Sequence, residues 1–349
     1  MSLVPADWAL ATTHLASDYV CRQFCAIVGV TPKVLPLPEL DVVLMLGCSH
    51  LARILADAYL NPVTINFDMT RYSEVLQKQE RGVNPGREEF LLTQYPPDRE
   101  IILERPAVVL DKFGLIVLWY LPGAIDAAIQ NDMLSVTMMM LGPLGKSITC
   151  GTLPKDTWRT HESNFQISEH GLTSGCINLS PGWFLQAHPA PQFQPEVSAT
   201  LKSDDVDNTT GAWGLGKYSS NTDHGDSAQR MGICLYRRRR YVHRYTPLHR
   251  DALSRAQWFD IMTSIGGYTS ARMKMPNIGI EIAYDAGVMA GASGRIVRHG
   301  VNWVNGDQVG WMYLEVIIQD VSAIVNAVQR HIAGLSLSVD VVQPTGPAC

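Results

Sequence analysis

The chain has 349 residues, 46% of them hydrophobic and 17% charged, with a formal net charge of −5. That is enough apolar residue for one large domain or two smaller ones, and the acidic balance excludes a protein that coats nucleic acid over its whole surface, while leaving room for a local basic patch. The seven cysteines are scattered and odd in number, which excludes a disulfide framework in a chain of this length.

Residues 1–105 read as an N-terminal α/β segment, with short apolar runs between polar loops. Its opening carries no basic stretch followed by an apolar run, and no segment of the chain reaches the ~18 apolar residues of a membrane span. An intracellular, soluble protein is the expectation, with the nucleus open to it. Cys21 and Cys25 are four apart, on one face of a helix, with His14 upstream; no second Cys/His pair at ligand spacing follows, so two buried thiols are expected rather than a zinc site. Asp41–Leu46 has the composition of a buried strand, and Ser49–Tyr59 has helical spacing with Ser49 placed to cap it. Gln77–Asp98 is charged and proline-rich and reads as a surface excursion.

A second unit is expected over 106–335. Ala107–Leu110 and Leu115–Tyr120 form a hairpin turned by Asp111-Lys-Phe-Gly114. Pro122–Met140 follows with helical periodicity, its Met and Ile stripe facing a core. Residues 187–230 are polar without an apolar period, a long loop or flexible insert. Then Met231–Tyr236, Trp258–Ser264, Ile278–Tyr284, Gly287–Ala290, Ile296–His299 and Val309–Ile317 have strand composition. Their close spacing predicts an antiparallel sandwich or barrel rather than βαβ units. Val321–His331 is an amphipathic closing helix, and 336–349 a tail.

Chemistry enters at His249-Arg250-Asp251 and at His299. A His-x-Asp step on extended chain puts both side chains on one face. With a second imidazole from a distant strand this makes the two-His, one-carboxylate set that holds mononuclear non-haem Fe(II) and leaves positions open. His299 ends a short apolar run that follows the glycine turn Ala292-Ser-Gly294, as the closing half of a double-stranded β-helix requires. A chain with ten histidines shows a His-x-Asp by chance about half the time, and His224-Gly225-Asp226 is a second one. It sits in a turn-forming polar stretch and reads as a solvated loop, so His249 is preferred. Arg237–Arg240 reads as a solvated strand edge, with phosphate tracking as the alternative. Trp303 and Trp311 read as core packing, with base stacking as the alternative.

Three segments carry a family resemblance: Arg244-Tyr-Thr-Pro-Leu-His-Arg-Asp251, Tyr284 through Arg-His-Gly-Val301, and Asn305-Gly-Asp-Gln-Val309. They resemble the 2-oxoglutarate/Fe(II)-dependent dioxygenases, and within them the TET/JBP-like group expanded in mushroom-forming fungi. Val108–Pro122 and Leu179-Ser-Pro-Gly-Trp-Phe184 are also similar to segments of that group. The resemblance touches most of 106–318 and says little about 1–105. It implies an α+β chain with a double-stranded β-helix (jelly-roll-like) core and flanking N-terminal helices. It implies Fe(II) on His249, Asp251 and His299, 2-oxoglutarate as co-substrate, and oxidation of 5-methylpyrimidine bases, with DNA or RNA as partner. It places Arg244 against the co-substrate or the substrate.

The chain departs from the pattern at Gln308, where the family has an arginine for the distal carboxylate of 2-oxoglutarate. A neutral donor there forfeits roughly 1.5–3 kcal/mol of charge-assisted binding. The segment before the HRD triplet also differs, with a Gly- and Asn-rich stretch at Asn208–Ser227. Two alternatives to the base oxidase follow: a catalytically inactive binding module that keeps the fold, and an iron oxygenase for a small molecule.

Overall fold

A computed structural model describes residues 8–29, 37–76, 84–138, 141–148, 159–166, 172–179, 182–183, 196–197, 237–242, 245–251, 254, 256 and 259–314. Most of the expected insert at 187–230, the run Met231–Tyr236, His224, Arg244, the closing helix Val321–His331 and the tail 336–349 lie outside these residues.

The first part is α1 (Trp8–Ile27), α2 (Val42–Leu60), β1 (Pro62–Thr64), α3 (Met69–Val75), α4 (Pro85–Gln94) and β2 (Ile101–Leu103). Then come β3 (Ala107–Leu110), β4 (Ile116–Leu121), α5 (Ala127–Met138), α6 (Leu141–Gly145), β5 (Gly175–Leu179), β6 (Gly182–Trp183), β7 (Glu196–Val197) and β8 (Arg237–Val242). The last part is β9 (Thr246–His249), β10 (Asp260–Ile265), β11 (Tyr268–Thr269), β12 (Arg272–Met275), β13 (Ile280–Ala283), β14 (Met289–Ala292), β15 (His299–Val301), β16 (Asn305–Gly306) and β17 (Val309–Leu314).

Two main sheets result. The larger runs β1-β3-β4-β14-β10-β17-β8-β5 and the smaller β2-β13-β12-β15-β9. Pairing is antiparallel within them except for β1 with β3 and β2 with β13. Strands from before residue 106 therefore complete both sheets. The chain is a mixed fold of β-sheets and helices.

The sheets face each other across one core. Val109, Leu118, Tyr120, Met262, Ala290 and Ala292 of the larger sheet pack with Met273, Met275, Ile280, Ile282 and Val301 of the smaller. The outer face of the larger sheet is covered too: Val108, Leu110, Trp119 and Leu121 pack against Phe24 of α1 and Ile54, Ala56 and Ala58 of α2. Burial on both faces explains why β4 reads Ile-Val-Leu-Trp-Tyr-Leu without polar alternation.

Cys21 and Cys25 of α1, expected as buried thiols, are only half-buried, and the N-terminal segment departs from its sequence reading in two further places. Asp41–Leu46 is not a strand. Asp41 caps α2, its carboxylate accepting from the backbone N–H of Val43 at 3.0 Å and Leu44 at 3.1 Å. A short apolar run suits either state, and the capping aspartate decides it. Ser49 is then mid-helix, 3.0 Å from the Tyr19 hydroxyl of α1. By length and hydropathy α2 could also cross a membrane; here it is the helix that roofs the larger sheet. The second departure is α4, where an excursion was expected. Asn84 caps it, Pro85 opens it, and its inward face buries Glu88 and Leu91.

The hairpin β3–β4 is closed by Asp111, which is fully buried. Its carboxylate accepts from the backbone N–H of Phe113 at 2.8 Å, Leu115 at 2.9 Å and Met69 at 3.2 Å. Gly114 takes φ +80°, which the turn requires and glycine tolerates. Replacing Asp111 by Ala strands three backbone donors; the expected loss is about 3 kcal/mol of stability, read as a lower urea midpoint, with Asp111→Asn losing less.

Candidate metal centre

The strands β9 and β15 pair antiparallel with His249 directly opposite His299, and the ring centroids are 4.4 Å apart. The approach is close because Gly300 has no side chain. A Cβ there would meet Thr246 O at 2.7 Å and Leu248 N at 2.9 Å. Asp251 continues past β9 on the face of His249. Its Oδ2 lies 4.0 Å from His249 Nε2 and 3.9 Å from His299 Nε2. The ligand atoms of the three residues all lie within 4.8 Å of one another, and all three residues are buried.

Each position is held by backbone. The Asp251 N–H donates to Gly294 O at 2.7 Å. A Cβ on Gly294 would collide with the buried Asp260 carboxylate and press on Asp251 Cβ at 3.2 Å, so this turn needs glycine. Buried Asn277 brackets the approach to His299, donating to Ile296 O and accepting from the Arg298 N–H, each at 2.9 Å.

The two imidazoles are oriented by the same device. His249 Nδ1 is 2.9 Å from Pro247 O, and His299 Nδ1 is 3.0 Å from Val297 O. A carbonyl only accepts, so Nδ1 of each ring carries the proton and Nε2 presents its lone pair toward Asp251. Burial, then the neighbouring His299, pushes the His249 pKa well below its ordinary value, against the pull of Asp251. His249 is neutral, as a metal ligand must be.

The donor set of two imidazoles and one carboxylate suits a divalent iron. Two such donors at right angles on a metal lie about 3 Å apart, so the Asp251 carboxylate is within about 1 Å of bridging distance to both rings. Asp251 Oδ1 is engaged separately, accepting from Arg159 NH2 at 2.6 Å. That arginine is partly exposed and orients the carboxylate.

Two residues beside the centre had no signal in the sequence. Arg159 stands alone in an unremarkable stretch far upstream, and Glu88 lies among the charges of α4. Gln308 is buried near the Tyr268 phenol, which donates to Tyr284 O at 2.8 Å. Arg244 is outside the described residues; its neighbour Tyr245 stacks on Trp303, with centroids 5.4 Å apart and planes at 27°. Trp303 is 42% exposed, contrary to the core reading, because it follows the end of β15. Trp311 is buried with Leu144, Leu172, Ile265 and Val309.

No family model matches this chain, and no curated protein matches it. Solved structures similar to it include members of the 2OG-Fe(II) oxygenase family. NgTET1 in complex with 5mC DNA is 13% identical, with a TM-score of 0.38, covering 66% of this chain and 90% of that one. An oxidoreductase of the 2OG-Fe(II) oxygenase family from Burkholderia pseudomallei is 11% identical, with a TM-score of 0.28, covering 56% of this chain and 82% of that one. OsALKBH1 is 12% identical, with a TM-score of 0.30, covering 57% of this chain and 97% of that one.

The lowered pKa of His249 sets a pH dependence. The unfolded chain takes up a proton at this residue near pH 6.5 and the folded chain does not, so folded stability falls as pH drops below about 6.5. The slope from this group approaches about 1.4 kcal/mol per pH unit. Urea midpoints of the metal-free protein between pH 5 and 7 should show it, and His249→Asn should flatten the curve.

Proposed function

We infer that this chain is an Fe(II)- and 2-oxoglutarate-dependent oxygenase on a double-stranded β-helix core, with His249, Asp251 and His299 holding the metal. The observation that supports this most is the convergence of two tautomer-locked Nε2 atoms on one carboxylate inside a buried site. The iron and the 2-oxo acid, when bound, supply the activation of dioxygen for attack on a C–H bond. The chain's own contribution is placement and exclusion. Pro247 and Val297 carbonyls keep both rings in the ligating tautomer. Arg159 orients the carboxylate. The surrounding apolar core, including Ile296, Val297 and Val301, limits water at the centre.

The TET/JBP-like likeness of the segments 244–251, 284–301 and 305–309 makes a 5-methylpyrimidine base in DNA or RNA the substrate of this reading. A base in a duplex would have to be flipped out to reach a buried centre. Gln308 is the neutral residue offered to the distal carboxylate of the co-substrate, with Arg244 as the candidate cation for its C1 carboxylate or for the substrate. A second reading is favoured by the neutral side chain of Gln308 itself: a protein that keeps the fold and the metal but binds 2-oxoglutarate poorly and serves as a binding module.

Two measurements bear on this. Wild-type protein should bind one equivalent of Fe(II) or Co(II), and His299→Ala should abolish it; stoichiometric metal retained by the variant sinks the triad. Under anaerobic conditions Fe(II) plus 2-oxoglutarate should give a weak visible charge-transfer band, with Gln308→Arg tightening 2-oxoglutarate by roughly 10-fold or more. No band in either protein would leave the binding module as the better reading.

A further inference from the structure

The reverse side of the two ligand segments carries a charge cluster that metal binding does not use. Successive side chains on extended chain face opposite ways, so Arg250 lies behind His249 and Asp251, and Arg298 behind His299. Both turn to one carboxylate, Glu88 of α4. Arg250 Nε donates to Glu88 Oε1 at 2.7 Å, and its terminal nitrogen is 2.6 Å from the same oxygen. Arg298 Nε lies 3.8 Å from Oε2, the other oxygen. Glu88 is 2% exposed and Arg250 4%.

Arg250 reaches further. Its guanidinium is 3.5 Å from Arg295 O, one residue from the Gly294 carbonyl that holds the Asp251 N–H. Glu88 is itself firmly placed. Leu91, one turn on, is in the shared core, and Arg87 donates to Val75 O at 2.8 Å. A carboxylate this deeply buried is costly unless paired, and here its two oxygens are divided between the two segments that carry the ligands.

We propose that Glu88 is the positioning residue of the His249–Asp251–His299 set. One carboxylate draws both ligand-bearing segments together from behind and so sets the spacing of the donors in front. The inference rests on the metal-site reading and adds a residue from the N-terminal segment to it. An ion pair that only stabilised the fold would change the amount of folded protein and leave the affinity of the folded protein for metal untouched.

The test measures Co(II) affinity and visible d–d spectrum for the full chain, alongside the urea midpoint of the metal-free form. Glu88→Gln keeps the shape and removes the charge. It should weaken Co(II) binding by roughly 10-fold and alter the d–d band, because the donor geometry changes. Arg298→Gln leaves the Glu88–Arg250 pair in place and should weaken binding by about 3-fold, keeping the proposal testable if Glu88→Gln does not fold. In the double variant the losses should be less than multiplicative, since both act through one contact. A lower urea midpoint with unchanged Co(II) affinity and spectrum overturns the positioning role, as do multiplicative losses. Wild-type protein that binds no Co(II) overturns the metal-site reading itself, and this proposal with it.

Discussion

The direct cross-strand pairing of His249 with His299 is the constraint on which the rest of the centre depends. Two imidazoles can sit with centroids 4.4 Å apart only if their backbones approach closely, and Gly300 permits that approach. Once the register is set, the other features follow. Alternation sends Asp251 to the ligand face and Arg250 and Arg298 to the reverse face. The i−2 carbonyls come within reach of both Nδ1 atoms. A one-residue slip would send one imidazole to the opposite side and bury an arginine in its place.

Charge is handled in layers around this pairing. His249 stays neutral, Asp251 is matched by Arg159, and Glu88 is matched by the two arginines behind the ligand segments. Asp251 and Glu88 thus each have a guanidinium. Such an arrangement lets charged groups exist beside an apolar core without forcing them to neutralise.

How much of this was legible in the sequence varies with the physical reach of each feature. Period-two alternation made His249-Arg250-Asp251 readable, because its geometry is local. His299 was readable from the glycine turn that precedes it. The hairpin at Asp111–Gly114 was readable from turn chemistry alone. Asp41–Leu46 is a helix start rather than a strand, since five apolar residues do not distinguish the two and the capping bonds of Asp41 decide it. Glu88 and Arg159 were invisible because their partners lie far away in the chain. A buried glutamate in a charged helix looks like any solvated one until Arg250 and Arg298 are placed against it. Gln308 was legible as a departure from a pattern, but its burial depends on long-range packing.

The parallel pairing of β2 with β13 has a consequence for the order in which the molecule can be made. Ile101–Leu103 leave the ribosome long before Ile280–Ile282 exist to receive them. The smaller sheet has no partner for that strand until most of the chain has emerged, and contacts of such sequence separation form slowly. The nascent N-terminal part therefore waits with unpaired strand edges and open apolar surface, a state prone to association with other chains. The ligand pair comes together only after β15 is synthesised. A metal held by this set would thus stabilise the finished protein and would come too late to guide the folding of its first half.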